Sequence, residues 1–314
     1  MPDKRVYYGG QAVIEGVMIR GPRTVAIACR RPDGELVVKS EPLGTVYAGW
    51  PRKLPLLRGV VVLWETLALG MQALIWSSNV QLGEEAEEQN SGPMWGVALV
   101  SFAVVALIFF AGPLLLADFM HDLLGSDWLV IVVEGVIRLA IVVGYVAVIG
   151  LLPDIRRVYE YHGAEHKSIH ALEHGDPLEP AAVQRHPTAH VRCGTSFLIM
   201  VVIVSIILFA LVGNPDLWIR VLSRVVLIPV IAAISYELIR LAGRFEDNPI
   251  TKTLMWPNLA LQAITTKQPD DAQVEVALTA LKQVLADEER LPEGASASTA
   301  TPDTGPTTDQ PLVD

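Results

Sequence analysis

The sequence predicts an α-helical integral membrane protein with four transmembrane helices, and two observations support this fold class. Of the 314 residues, 51% are hydrophobic and only 18% are charged, which gives a mean hydropathy of +0.40. The apolar residues are concentrated in blocks, and each block is about long enough to cross the hydrocarbon core of a bilayer. The four blocks are residues 95–117, 128–152, 196–213 and 217–239.

The distribution of Lys and Arg predicts the orientation of these helices. Ten basic residues lie in 1–58 and five in 153–195, whereas 118–127 and 214–216 contain none. Because cytoplasmic loops retain positive charge, we expect a multi-pass protein of the cell membrane with both termini in the cytoplasm. Its expected partner is the lipid bilayer. The net charge of −10 and the lack of a basic, aromatic-rich patch argue against a nucleic-acid partner.

A fifth apolar segment, residues 58–76, tests this topology. It is apolar enough to span a bilayer, but a fifth span would move Arg156 and Arg157 to the outer side. It also contains Glu65 and Gln72, which are costly in lipid. We therefore interpret it as a helix that lies in the cytoplasmic interface or packs on the bundle.

The apolar blocks themselves contain a few charged residues. Counted from the outer ends of their blocks, Glu134 and Arg224 lie at similar depths of about 9 to 10 Å. An unpaired charge inside a membrane is expensive. We therefore predict that these two residues form a structural pair, with Arg138, one turn further along the helix, as a competing partner of Glu134.

The N-terminal residues 6–48 are predicted to form a small β-rich unit. The run TVAIACRRPDGELVVKS places two β-branched stretches around Pro-Asp-Gly, a turn signal in which Gly tolerates positive φ. Upstream, GGQAVIEGVMIRGP is rich in glycine and contains Glu15 and Arg20. Either this stretch closes over a functional site with Glu15 as a ligand or substrate contact, or it is a tight β unit with an internal Glu–Arg pair.

These signals divide the chain into seven consecutive parts. The C-terminal part includes a predicted amphipathic helix, and the tail has the composition of a disordered segment. The parts are an N-terminal β-rich cytoplasmic unit (1–50), an interfacial helix with an acidic linker (51–94), transmembrane helices 1 and 2 (95–152), a cytoplasmic His/Cys segment (153–195), transmembrane helices 3 and 4 (196–241), a cytoplasmic C-terminal helical region (242–290) and the tail (291–314).

Four of the seven histidines recur at intervals of four in YEYHGAEHKSIHALEHG, at 162, 166, 170 and 174. Four residues are slightly more than one helical turn, so on a helix these side chains form one stripe. His162, Glu165 and His166 form the pattern H-x-x-E-H, the signature of the inverzincins. Two imidazoles four residues apart can hold one cation, and the adjacent carboxylate can take a proton from an activated water.

A second motif lies before the third apolar block. In HPTAHVRCGTSF, His190 and Cys193 are separated by two residues, a spacing that suits chelation of one metal from a turn. Cysteine together with imidazole favours Zn²⁺. His162, His166, His190 and Cys193 are therefore the predicted zinc ligands, with Glu165 as the catalytic group. A closed set of four protein ligands would indicate a structural metal, whereas an open position would permit catalysis.

The remaining cysteine and histidines have simpler interpretations. Cys29 lies in a strand-like run and is predicted to be a core residue. His170 either is an ordinary residue of the polar helix face or contacts the metal ligands without binding the metal itself. His174 lies in the last helical turn, where a partly cationic imidazole suits the helix dipole, and His186 is predicted to lie on a loop surface.

Together, YYGGQAVIEGVMIRGP, YHGAEHKSIH, RCGTSF and NLALQAITTKQPDDAQVEVALTAL resemble the YqhQ-like family. This is a family of bacterial integral membrane proteins of unknown function that are usually labelled metal-dependent enzymes. The resemblance covers residues 6–286. It implies the same layout and a location in the bacterial cell membrane, and its enzyme label rests on the same histidine and cysteine motifs.

Three functions remain open from the sequence. The first is a membrane-bound zinc-dependent hydrolase acting at the cytoplasmic interface. The second is a non-catalytic membrane protein whose zinc holds residues 153–195 together while another part docks a cytoplasmic partner. The third, a metal transporter, is disfavoured because the predicted spans contain no histidine and no pair of carboxylates at mid-depth.

Overall fold

The computed structural model describes most of the chain outside its two ends. The described residues are 8–43, 54, 57–83, 96–97, 99–101, 103–104, 107–190, 193–213, 215–245 and 248–290. The predicted disordered tail, most of the acidic linker and parts of the first apolar block lie outside them.

Four antiparallel strands form a sheet in the order β1-β2-β3-β4, which confirms the predicted N-terminal β-rich unit. The strands are β1 (Gly9–Val13), β2 (Gly16–Arg20), β3 (Thr24–Arg30) and β4 (Leu36–Pro42). The β3–β4 turn is the predicted one. Gly34 adopts a φ of 94°, and the Asp33 carboxylate accepts a hydrogen bond from the Glu35 N–H at 2.9 Å.

The rest of the described chain is helical. Residues Leu107–Ala111 form a π-helical turn. The α-helices are α1 (Leu57–Leu82), α2 (Gly112–Phe119), α3 (His121–Leu124), α4 (Asp127–Ile149), α5 (Pro153–His174), α6 (Pro180–Val183), α7 (Gly194–Val212), α8 (Leu217–Val226), α9 (Ile228–Arg244), α10 (Pro249–Leu254), α11 (Trp256–Thr265) and α12 (Asp271–Arg290).

Among the described residues, two helices are long and apolar enough to cross a membrane, at Arg58–Leu82 and Trp128–Ile149. A third candidate arises if α8 and α9, which meet at 45°, form one broken span. Proline in the first turn of α9 explains the break, since it cannot continue the hydrogen bonding of the preceding helix. The shorter apolar helix Phe197–Val212 covers most of the third predicted block. These helices are compatible with membrane association. Two or three helices of the described part of the chain qualify as spans, and the count of four stays a prediction.

Helix α1 differs in length from the prediction, because it continues to Leu82 instead of ending before an acidic linker at 77. Near its start, Gly59 lies against Ala233 of α9. Its second half packs on the sheet through Ala73 and Val80. The helix thus joins the sheet to the apolar helices, and its Glu65 is fully buried in an ion pair with Arg20.

The sheet is buried on both faces, as the alternation of side chains along a strand allows. Val17, Ile19, Ala26 and Ala28 face α5 and α12, where they meet Tyr161, Ala164, Val274 and Leu281. Val13, Met18, Val25, Ile27 and Cys29 face α1. Cys29 is therefore a core residue, as predicted. The N-terminal sheet and the C-terminal helix α12 share one hydrophobic core with α5, and this packing fixes the position of α5.

Candidate metal centre

Helix α5 carries the histidine stripe and has clear local signals at both ends. Pro153 occupies its first turn, where its missing N–H is not needed, and Gly175 ends it in the left-handed conformation with a φ of 72°. One face of the helix is inside the protein, with Glu165 only 4% and His166 only 2% exposed. The functional side chains are therefore held on a packed helix rather than on a surface loop.

Three of the four predicted zinc ligands lie together. One nitrogen of His162, one nitrogen of His166 and the sulfur of Cys193 lie within 4.8 Å of one another. The His162 Nε2 is 3.1 Å from the Cys193 Sγ, and the two imidazole rings are 4.4 Å apart at their centroids. We call these three residues the inner cluster.

Backbone carbonyls orient both imidazoles of the inner cluster. The His162 Nδ1 is 3.0 Å from the carbonyl oxygen of Thr265, and the His166 Nδ1 is 2.5 Å from that of Thr188. A carbonyl can only accept, so each Nδ1 carries the proton and each Nε2 keeps its lone pair. Among the residues that the structure describes, the buried His166 Nε2 has no hydrogen-bond partner. Burial lowers the pKa of His166, which favours the neutral ring that a metal requires.

Cys193 is the N-cap residue of α7. Its sulfur accepts a hydrogen bond from the Thr195 N–H at 3.3 Å and lies 3.1 Å from the Thr195 hydroxyl. The positive end of a helix dipole attracts negative charge, so this position suits a metal-binding thiolate.

Gly163, within the H-x-x-E-H motif, permits the close approach of the chain that supplies Thr265. A Cβ at this position would collide with the carbonyl oxygen of Lys267. The Lys267 N–H in turn donates to the Tyr159 carbonyl at 2.9 Å. The glycine thus allows the segment after α11 to lie directly on α5.

Glu165 lies beside the inner cluster but is not one of its three members. The Gly10 N–H of β1 donates to its carboxylate, and any side chain at position 10 would meet that carboxylate and the Met18 carbonyl. Among the described residues, the buried Glu165 Oε2 has no hydrogen-bond partner. Burial raises the pKa of Glu165. A carboxylate with a raised pKa takes up a proton more readily than a solvated one, which suits general acid–base catalysis.

The structure places His190 in a neighbouring group instead of the inner cluster. Its Nε2 lies 3.2 Å from the Glu173 Oε2, and these two residues and His170 bring three ligand atoms within 4.8 Å of one another. Burial lowers the pKa of His170 to about 4. Sequence reasoning missed Glu173, although its separation of three from His170 on one helix was an available signal. We call His170, Glu173 and His190 the outer cluster.

Glu15 and Arg20 pair with other elements of the fold and not with each other. Two nitrogens of Arg157 lie 2.5 Å from the two Glu15 oxygens, and the Tyr161 hydroxyl donates to the same carboxylate at 3.2 Å. The hydrogen bond from Arg157 lowers the pKa of Glu15. The glycine-rich stretch therefore contacts Glu165 through Gly10. Glu15 lies in the β1–β2 turn with a φ of 50°, and its ion pair with Arg157 connects that turn to α5.

The fold and the site therefore combine a small sheet, apolar helices that suggest membrane association, and a candidate metal centre between α5 and the start of α7. Residues 54–287 match a family described as "Protein of unknown function (DUF1385)". The chain is also 35% identical over 296 residues to "Uncharacterized protein YqhQ" of Bacillus subtilis (strain 168), covering 88% of this chain and 92% of that protein. The chain belongs to this family, which confirms the resemblance seen in the motifs. No solved structure matches it.

Proposed function

We propose that this protein is a membrane-bound, zinc-dependent hydrolase that acts at the cytoplasmic face of the membrane. The supporting observation concerns two buried atoms that have no hydrogen-bond partner among the described residues. They are the His166 Nε2, which is one of the three convergent ligand atoms, and the Glu165 Oε2 beside them. Buried acceptors without donors are rare, because their desolvation is not compensated. A cation would compensate the imidazole nitrogen, and a reacting water would compensate the carboxylate.

In this proposal the zinc ligands are His162, His166 and Cys193. Three protein ligands leave the fourth tetrahedral position open, which is the arrangement of catalytic zinc sites. Zinc supplies Lewis-acid polarisation of a substrate carbonyl and activation of water. Glu165 would take a proton from a water at Oε2, while the Gly10 N–H holds the carboxylate in place.

The proposed topology has four spans with both termini in the cytoplasm. It is supported by the distribution of Lys and Arg and by the exposure of large apolar side chains along the long helices, such as Val136 and Val148 of α4. In a cysteine-labelling experiment with an impermeant reagent, a cysteine introduced at 123 should react from outside and one at 180 should not. The reverse pattern would mean that α1 crosses the bilayer.

The first test compares Glu165→Gln with His166→Ala in the purified, detergent-solubilised protein. Zinc content is measured by mass spectrometry, and turnover is measured on a panel of p-nitrophenyl esters and fluorogenic peptides. We expect Glu165→Gln to keep its zinc and to lose about 10²-fold or more in turnover. His166→Ala should lose both. Equal turnover in the wild type and Glu165→Gln would exclude Glu165 as the catalytic group.

A second test does not depend on the choice of substrate. The protein is loaded with Co²⁺, and its visible spectrum is recorded with and without acetohydroxamate. An open position predicts a new spectrum with the added ligand, whereas a closed structural site predicts no change.

A structural zinc is the second candidate function, and one observation favours it. The inner cluster joins α5 to the start of α7, and the carbonyls of Thr188 and Thr265 bring in two more segments. A metal at this place would hold the cytoplasmic part together and leave another surface free to dock a partner. An unchanged cobalt spectrum combined with a large loss of stability on chelation would favour this second function.

A further inference from the structure

We propose that the outer cluster, His170, Glu173 and His190, is a second binding site for a divalent transition metal such as Zn²⁺ or Co²⁺. Its three ligand atoms lie within 4.8 Å of one another. Two imidazoles and a carboxylate are a ligand set that these cations accept. This site does not require the proposed hydrolase activity.

Hydrogen bonds position both histidines of the outer cluster. The His170 Nε2 lies 2.9 Å from the Ala189 carbonyl oxygen, so that nitrogen carries the proton and the Nδ1 is left as the ligand atom. The Gln262 side chain forms two hydrogen bonds with the backbone of His190. It accepts from the His190 N–H at 2.7 Å and donates to the His190 carbonyl at 2.9 Å. This buried amide fixes the turn that presents His190 to α5.

The outer cluster belongs to a continuous column of six histidine rings, which includes every histidine of the chain except His121. His166 and His190 are 5.7 Å apart at their ring centroids, and His190 and His170 are 4.6 Å apart. His186 continues the column, since it stacks on His170 at 6.2 Å and pairs with Asp176 at 3.0 Å. His174 lies 5.2 Å from His186.

The inner and outer clusters differ in their access to solvent. His166 and Cys193 of the inner cluster are 2% and 6% exposed. In the outer cluster, the Glu173 side chain is 29% exposed, and the neighbouring His174 is also exposed. A metal in the outer cluster should therefore exchange with a soluble chelator faster than one in the inner cluster.

The test counts metal equivalents in the full-length protein in detergent. Protein stripped with a chelator is titrated with Co²⁺ and followed by calorimetry, and zinc is counted independently by mass spectrometry. We expect two equivalents for the wild type, one for Glu173→Gln and one for His170→Ala. EDTA should remove one equivalent of the wild type at least tenfold faster than the other, and this fast fraction should be absent from Glu173→Gln.

Matched variants keep this result separate from the proposed function. Cys193→Ala should lose the inner equivalent and keep the outer one, and His121→Ala should keep both. If Cys193→Ala changes nothing while Glu173→Gln removes one equivalent, the inner assignment fails and the outer site stands. Wild type and Glu173→Gln with equal metal content would overturn the outer site. Circular dichroism of each variant shows whether it has folded, and Glu173→Gln is the mildest change.

Discussion

Two buried polar clusters in this protein are built from opposite combinations of groups. The inner cluster brings together imidazole nitrogens and a sulfur next to a carboxylate, and among the described residues the His166 Nε2 and the Glu165 Oε2 have no hydrogen-bond partner. Inside the apolar helices, by contrast, the Glu134 carboxylate accepts from Arg138 at 2.5 Å and from Arg224 at 2.7 Å, and we call these three residues the Glu134 cluster. Convergent lone pairs suit a cation from outside, whereas a carboxylate between guanidinium groups obtains its counter-charge from the chain itself.

The Glu134 cluster also confirms the predicted pairing of Glu134 with Arg224. Glu134 and Arg224 do meet, as their matched depths indicated, and Arg138 shares the carboxylate instead of displacing Arg224. The face of the Phe209 ring lies 4.0 Å from the Arg224 guanidinium and 5.1 Å from that of Arg138. This aromatic face stabilises the positive charge that one carboxylate cannot balance. These contacts give the Glu134 cluster a structural role within the helices.

The largest expected difference between the clusters is their response to metal removal. Binding free energies at structural zinc sites are on the order of 10 kcal/mol, so stripping the protein with a chelator should lower its thermal midpoint strongly. Cys193→Ala should start from the lowered midpoint and should respond much less to the chelator. Cys29→Ala, at the other buried cysteine, is the control and should respond like the wild type. If the chelator leaves the thermal midpoint of the wild type unchanged, the two clusters do not differ in their response to metal removal.

The second effect concerns the Glu134 cluster, which should not respond to chelators. Glu134→Gln removes the carboxylate that two buried arginines share and should cost about 3–5 kcal/mol in unfolding free energy. Glu134→Gln/Arg224→Gln should recover part of that loss, because one of the uncompensated charges is also removed. The free energies are measured by unfolding in detergent. A double variant equal to the sum of the singles would mean that the two residues do not interact.

A smaller effect is expected where the backbone closes over the inner cluster. Gly163→Ala forces α5 away from the Lys267 carbonyl and should cost about 1–3 kcal/mol, the usual range for overpacking. It should also weaken zinc binding, because the Thr265 carbonyl that orients His162 lies on the displaced segment. Gly144→Ala is the control, since a Cβ there meets nothing within 4 Å. Equal zinc affinity in both variants would contradict this view of Gly163.

The smallest effect is at a solvent-accessible polar contact, which provides a reference for the buried clusters. The Glu288 carboxylate of α12 accepts from the N–H groups of Arg23 and Thr24 at 2.7 and 2.9 Å. Burial alone would raise its pKa, but these hydrogen bonds and the Arg23 guanidinium hold it below the ordinary value of 4.5. A lowered folded-state pKa stabilises the protein above pH 4.5, and this contribution is lost as the pH falls through the folded-state pKa.

Glu288→Gln should therefore cost about 1–2 kcal/mol at pH 7, toward the low end for hydrogen bonds to a charged group because the contact is partly exposed. The difference from the wild type should shrink as the pH falls below 4.5, because protonation removes the same interactions from the wild type. Unfolding is followed by urea titration at pH 7 and at pH 3.5. A difference that grows toward acid would reverse the assigned direction of the pKa shift.

The sequence by itself determined the features that depend on local patterns. The period of four between the histidines, with Pro153 and Gly175 at the ends, predicted α5 correctly. The turn chemistry around Asp33 and Gly34 predicted the β3–β4 hairpin. Hydropathy located the apolar helices, although Pro229 divides the last block into two helices. Each of these signals lies within a few residues of the structure that it specifies.

Tertiary structure alone decided the partners of Glu173 and Glu15 and the placement of His190. Glu173 joins His190, and Glu15 is bound to Arg157 across a sequence separation of 142. The loop holding His190 is positioned by Gln262, 72 residues away. These contacts depend on how α5, α11 and the sheet pack against one another, and no short sequence period records that packing. The ligand types were therefore readable from the sequence, while their division into an inner and an outer cluster was not.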